Sequence, residues 1–121
     1  MKAFLTPTFT ILLSLLPGIG SASSVCSGTI DMLLVTQSGI VEVYSSEIYG
    51  NSNGRNICNI NTNWKSVTPD TCKAWYSTLL ALAAQNKPAK IHYLPHETAS
   101  CANVANYNDS VAPYAVNYSK N

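Results

Sequence analysis

Residues 68–88 run Thr-Pro-Asp-Thr-Cys-Lys-Ala-Trp-Tyr-Ser-Thr-Leu-Leu-Ala-Leu-Ala-Ala-Gln-Asn-Lys-Pro, and this stretch decides the fold because it is the one long helical pattern in a chain otherwise made of short apolar runs. Thr68 can cap the free amides, Pro69 suits the first helical position, and Asp70 complements the positive end of the dipole. Cys72, Trp75, Tyr76, Leu79, Leu82 and Ala83 recur at spacings of three and four on one broad face, with Lys73, Ser77 and Thr78 opposite. Asn86-Lys87-Pro88 stops the helix. One helix is therefore expected from residue 68 to about residue 86.

On either side the pattern is that of strands. Thr29–Thr36 is short, apolar and bounded by turn residues, Gln37-Ser38-Gly39 suits a hairpin loop, and Ile40–Tyr44 is β-branched and partly alternating. Asn51-Ser52-Asn53-Gly54 is the strongest loop signal. Beyond it Asn56–Ile60 reads as a third strand. After the helix come Lys90–Leu94, a shorter Ser100–Val104, and Tyr114–Tyr118. The expected class is mainly β with one helix, in the order βββ-α-ββ(β). A small antiparallel barrel of the oligonucleotide/oligosaccharide-binding (OB) kind, with the helix plugging one end, leaves the fewest exposed edges.

The N-terminus belongs to transport rather than to this fold. Met1-Lys2, an apolar run from Ala3 to Ile19, and the small residues Gly20, Ser21 and Ala22 form the pattern of a secretory signal peptide. Residues 1–22 are assigned to it and residues 23–121 to a single OB-like domain. The whole chain has 121 residues, 7 Lys+Arg against 6 Asp+Glu, and 11% charged residues. Cleavage would remove Lys2 and no acid, so the domain is formally neutral. That argues against nucleic acid as a partner, since its binding rests on clustered Lys and Arg, and against a polybasic membrane anchor. Beyond the signal no apolar stretch approaches the ~20 residues of a membrane span. The expected location is secreted or periplasmic.

Cys26, Cys58, Cys72 and Cys101 all fall in the domain, an even number suited to an oxidising compartment. Four cysteines allow three pairings. Cys58 with Cys72, a short staple, and Cys26 with Cys101, tying the N-terminus to a late strand, are favoured over the other two. Metal binding finds no support in the spacing: there is no Cys-x-x-Cys pair, and His92 and His96 lack the His-Glu-x-x-His arrangement. No cofactor is expected.

Gly28-Thr29-Ile30-Asp31, the cysteine at 58, and above all the block from Cys72 to Tyr93 resemble a group of small exported bacterial proteins of unassigned function with an OB-like fold. From the helix through the following strand, the layout more distantly resembles the B subunits of pentameric bacterial toxins of the subtilase-cytotoxin and typhoid-toxin type. That resemblance implies a homo-oligomer of OB barrels binding sugar on a glycoconjugate. It carries over no sugar-contacting residue, because the loops here align with no motif of that family.

Sugar binding needs an aromatic face for the ring and amide groups for the hydroxyls. Tyr44, Tyr49, Asn61, Asn63 and Trp64 supply these types near loop ends. The plain alternative for Trp64 is a lid over the core beside the Cys58-to-Cys72 loop. His92, His96 and Glu97 are the one cluster with acid–base chemistry near neutral pH, but no nucleophile elbow accompanies them. Asn108-Asp109-Ser110 and Asn117-Tyr118-Ser119 match the glycosylation pattern, which is common by chance in an asparagine-rich chain. The leading expectation is a non-enzymatic binding module for a glycan. An envelope subunit or inhibitor that meets another exported protein is the alternative, and a small hydrolase comes third.

Overall fold

A computed structural model of the protein describes residues 24–118 and residue 120. The segment assigned to a signal peptide, residues 1–22, lies outside the described residues, as does Ser119 of the second glycosylation pattern. The elements in chain order are β1 (Ser24–Gly28), β2 (Met32–Val35), β3 (Ile40–Tyr44), α1 (Ser46–Tyr49), β4 (Arg55–Asn59), α2 (Pro69–Ala84), β5 (Ala89–Tyr93), a 3-10 turn (Cys101–Asn103) and β6 (Ala115–Asn117).

The class is as expected, mostly β with one long helix and two disulfides, but the strands form two antiparallel three-stranded sheets, ordered β2-β3-β4 and β1-β5-β6, in place of one closed ladder. The first sheet is a meander built on the Thr36–Ile40 hairpin. Gly39 takes φ 95° there, a left-handed conformation that glycine adopts without penalty. In β3 the alternation is clean, with Val41 and Val43 fully buried and their neighbours half-exposed. β4 breaks alternation, because all five of its residues are buried. The ladder shifts between Val41 and Glu42, so that Val41 faces Cys58 while Glu42 faces Asn56. Ile57 is the extra residue, and this bulge lets Arg55 and Cys58, three apart, both lie opposite inward-facing valines.

The second sheet holds the correction to the sequence reading. Ser24–Gly28 is a strand, paired along its whole length with β5 from Ser24↔Tyr93 to Gly28↔Ala89. The expected fifth strand at Ser100–Val104 is instead a 3-10 turn, and β6 pairs on the other side of β5.

Helix α2 joins the two sheets, packing on β2 and β4 of one and β6 of the other. Thr68 caps it by accepting from the Thr71 amide, and Pro69 opens it. At its far end Asn86 turns left-handed at φ 52°, while the Lys87 amide reaches back to Leu82 O at 2.9 Å and the Asn86 amide to Ala83 O at 3.1 Å. These two bonds satisfy carbonyls that the helix would otherwise leave open. Cys72, Leu79 and Leu82 are its buried positions. Burial of Leu79 alone stabilises the fold by about 2 kcal/mol.

Both favoured disulfides are present: Cys26–Cys101 joins β1 to the 3-10 turn and Cys58–Cys72 joins β4 to α2. The core between them is Ile91, Tyr93, Val41, Val43, Ile57, Leu79 and Tyr49.

Candidate functional site

The first turns of α2 form one wall of a surface cleft of about 270 Å³. Thr68, Thr71 and Trp75 line it from the helix, at spacings of three and four that put them on one face. Ser66 and Val67, on the chain entering the helix, and Pro113 and Tyr114, from the segment before β6, complete the lining. The lining contains no acidic, basic or imidazole side chain.

Each wall is held in place by identifiable contacts. Residues 64–67 close a tight turn, with Trp64 N bonded to Val67 O and Val67 N to Trp64 O, both at 3.0 Å. Lys65, at φ 53°, places its Nζ 4.6 Å from the centroid of the Trp64 ring and donates to Ser110 O. One lysine thus ties the 64–67 turn to the segment that carries Pro113 and Tyr114. Tyr114 in turn donates its amide to His92 O at 2.9 Å, and its ring lies 5.7 Å from the His92 ring. On the helical wall, Thr68 Oγ1 donates to Thr71 Oγ1 at 3.0 Å, and Cys58–Cys72 fastens the same turn to β4. Trp75 is half-buried and packs against the core from one side while lining the cleft. Tyr114 is 46% exposed.

An indole and a phenol ring in one lining with the hydroxyls of Ser66, Thr68 and Thr71 can do two things for a ligand. The rings offer an apolar surface for stacking, and the hydroxyls both donate and accept. The lining itself contributes no charged side chain.

The five residues named from sequence for sugar binding do not converge. Tyr49 is fully buried, its hydroxyl 2.8 Å from that of Tyr93, and it presents no surface to a ligand. Burial pushes the Tyr49 phenol up to about 12. Tyr44 donates to Glu42 at 2.8 Å, and that bond, with burial second, raises its pKa to about 12. Its ring lies over Gly54, where an added Cβ would come within 2.6 Å of it. Asn61 is exposed and donates to Ser38 O at 3.3 Å in the β2–β3 turn, and Asn63 is exposed. Trp64 is half-buried against the core and lies outside the cleft lining, two residues before Ser66. The cleft residues that the sequence reading missed, Thr68, Thr71, Trp75 and Tyr114, carried one legible signal: two hydroxyls and an aromatic on a single face of the helix start.

The acid–base cluster is dispersed. His92 shares a 2.6 Å hydrogen bond with Asn117 Oδ1, and His96 and Glu97 are exposed in the turn after β5. Among the described residues no group of three His, Cys, Asp or Glu side chains is gathered closely enough to hold a metal ion, and no helix is long and apolar enough to cross a membrane. No family model, curated protein or solved structure matches this chain.

Proposed function

We propose that this protein is an exported, non-enzymatic binding module whose cleft takes a neutral, polyhydroxylated ligand, a sugar unit of a glycan. What carries this is the juxtaposition of Trp75 and Tyr114 with the hydroxyls of Ser66, Thr68 and Thr71 in a cleft lined by no charged group. A pyranose has an apolar face and a rim of hydroxyls, and this lining offers a partner for each. The more distant resemblance of the layout from the helix through the following strand to toxin B subunits favours the same ligand class. Two disulfides favour an oxidising compartment, in line with the signal pattern of residues 1–22.

Binding is preferred to catalysis because the lining holds no carboxylate, imidazole or amine, and two titratable side chains close to it are engaged elsewhere. His92 bonds Asn117 and its ring lies at a tilt beside that of Tyr114, and Lys65 donates to Ser110 O. A glycan array followed by titration of tryptophan fluorescence tests the proposal. The expected result is a defined set of neutral sugars that changes Trp75 emission, with loss of binding in Tyr114→Ala. Absence of binding across the array, or binding indifferent to Tyr114 and Trp75, rejects it.

A further inference from the structure

Asn53-Gly54 is the one Asn-Gly pair in the 121 residues, and the fold holds its two members differently. Packing requires the glycine, since a Cβ at 54 would come within 2.6 Å of the Tyr44 ring. The Gly54 carbonyl accepts from the Tyr107 amide at 2.8 Å, while the Gly54 N–H has no hydrogen-bond partner among the described residues. Asn53 is exposed and is held through its backbone: its amide donates to Asn51 Oδ1 at 3.0 Å, and its carbonyl accepts from Arg55 Nη1 at 2.6 Å. Its side-chain amide has no partner among the described residues.

An asparagine followed by glycine is open to ring closure, because no Cβ on the glycine hinders the approach of its nitrogen to the asparagine side chain. The obstacle is the nitrogen itself. A peptide N–H must lose its proton before it attacks, and the resulting anion shares its charge between the nitrogen and the carbonyl oxygen of the same peptide unit. Here that oxygen belongs to Asn53, and it already accepts from a guanidinium that stays charged at every accessible pH. A donor fixed where negative charge develops lowers the barrier without having to reorganise. Val104 O, Asn51 Oδ1 and the Tyr49 ring hold the guanidinium in that place.

We propose that Asn53 is a self-modification site, and that Arg55 promotes its closure to a succinimide with Gly54. Hydroxide from solvent takes the Gly54 N–H proton, and the nitrogen electron pair bonds Asn53 Cγ. The Cγ–Nδ2 bond then breaks, and Nδ2 leaves as ammonia with a proton returned by water. Water opens the ring in turn: addition at Cγ gives aspartate, and addition at the main-chain carbonyl carbon gives isoaspartate, with the peptide continued through the side chain. The sum is an amide and water going to a carboxylate and ammonia, with no oxidant or reductant. The formally neutral domain gains one negative charge in a loop that does not line the cleft, so the site is independent of what the cleft binds.

Incubation of the purified, disulfide-bonded protein at mildly alkaline pH, beside the same chain reduced and held in urea, tests the proposal by peptide mass mapping. The expected result is a species short by one ammonia, followed by acidic products in which the amide nitrogen has been exchanged for oxygen, all at Asn53. Conversion is expected to be roughly tenfold faster in the native protein than in the unfolded chain, the effect of one charge-assisted hydrogen bond on a barrier. Asn53→Gln, which alters a side chain without partners, is expected to fold as the parent does and to form no acidic product in this loop. Arg55→Met, where circular dichroism shows it folded, is expected to lose the native advantage. Native conversion no faster than that of the unfolded chain overturns the proposal, and that comparison needs no variant. A folded Arg55→Met protein that keeps the native rate overturns the role given to Arg55.

Discussion

The guanidinium carbon of Arg55 lies 4.6 Å from the centroid of the Tyr49 ring, and both side chains are buried. The partners of this cation are neutral. Nε donates to Val104 O at 2.9 Å, and Nη1 donates to Asn51 Oδ1 at 3.0 Å and to Asn53 O at 2.6 Å. Burial lowers the Arg55 pKa, as expected for a cation removed from water, yet arginine stays protonated at any pH at which the protein folds. Its charge is dissipated into three carbonyl dipoles and an aromatic face. One side chain thereby joins the 51–53 loop, α1 and the segment after the 3-10 turn.

Arg55→Ala is expected to destabilise the protein by on the order of 3 kcal/mol, because it empties a buried site, removes hydrogen bonds to a charged group and leaves the carbonyl of buried Val104 unpaired. Arg55→Lys should recover little of this, since an ammonium cannot reproduce the planar fork or the stacking on Tyr49. Urea unfolding midpoints for the two variants measure both effects. A lysine variant as stable as the parent would show that charge alone, and not the guanidinium geometry, is what the site requires.

Tyr114 and Trp75 separate binding from stability. Tyr114 is 46% exposed, so Tyr114→Ala should shift the unfolding midpoint by less than about 0.5 kcal/mol while weakening sugar binding roughly tenfold, the equivalent of ~1.4 kcal/mol of lost stacking. Trp75→Ala should cost both, because that ring also packs on the core. Calorimetric titration beside thermal unfolding distinguishes the two variants. Equal losses of stability in both would remove Tyr114 from the cleft's binding surface.

How far the sequence discloses this molecule depends on how local each signal is. α2 was legible because its cap, its opening proline and its stop are written within residues 68–88. The hairpin from β2 to β3 was legible for the same reason. β1 was not, since Ser-Val-Cys-Ser-Gly becomes a strand only by lying along β5, some sixty residues later. α1 is four residues long, too short for a periodicity, although Ser45 caps it through the Ile48 amide and Gly50 ends it at φ 78°. In β4 the bulge at Ile57 destroys the alternation that would have marked Arg55 as inward-facing. The cleft was hidden twice over: its walls come from residues 66–75 and 113–114, and Trp75, on the apolar stripe, serves core and surface together.

The two disulfides should differ in magnitude and in what they control. Cys58–Cys72 spans a separation of 14 residues and Cys26–Cys101 one of 75, for which loop-closure entropy predicts about 3 and about 4.5 kcal/mol. Removing the longer bridge is therefore expected to cost more stability. Removing the shorter one should do what the longer cannot, weakening the cleft, because Cys72 lies one residue past Thr71 and three before Trp75. Paired Cys→Ser variants, compared by urea unfolding and by sugar titration, check both statements. If loss of Cys26–Cys101 weakens binding as much as loss of Cys58–Cys72, the local role of the shorter bridge is wrong.

Alkaline pH offers a test of the buried Tyr49–Tyr93 pair. Their hydroxyls are 2.8 Å apart in the core, and burial raises Tyr49 to about 12 and Tyr93 well above its ordinary value. A phenol in the unfolded chain ionises near pH 10. Below that pH both states hold the proton and the stabilisation is fully present. Above it the unfolded chain releases protons that the folded one keeps, so stability falls as pH rises from about 10 through about 12. For Tyr49 alone the fall is on the order of 3 kcal/mol across that window. Unfolding midpoints measured against pH should show this alkaline limb, with tyrosinate absorbance rising in step with loss of structure. The Tyr49→Phe, Tyr93→Phe double variant should reduce the limb to what Tyr44, held up by its bond to Glu42, still contributes, since neither buried ring then carries a proton to lose. Tyr93→Phe alone should lower stability at neutral pH by about 1 kcal/mol or more, because it leaves the Tyr49 hydroxyl buried without its partner. Phenols at 49 and 93 that titrate near pH 10 in a chain that stays folded would contradict the packing that Arg55 and the two tyrosines share.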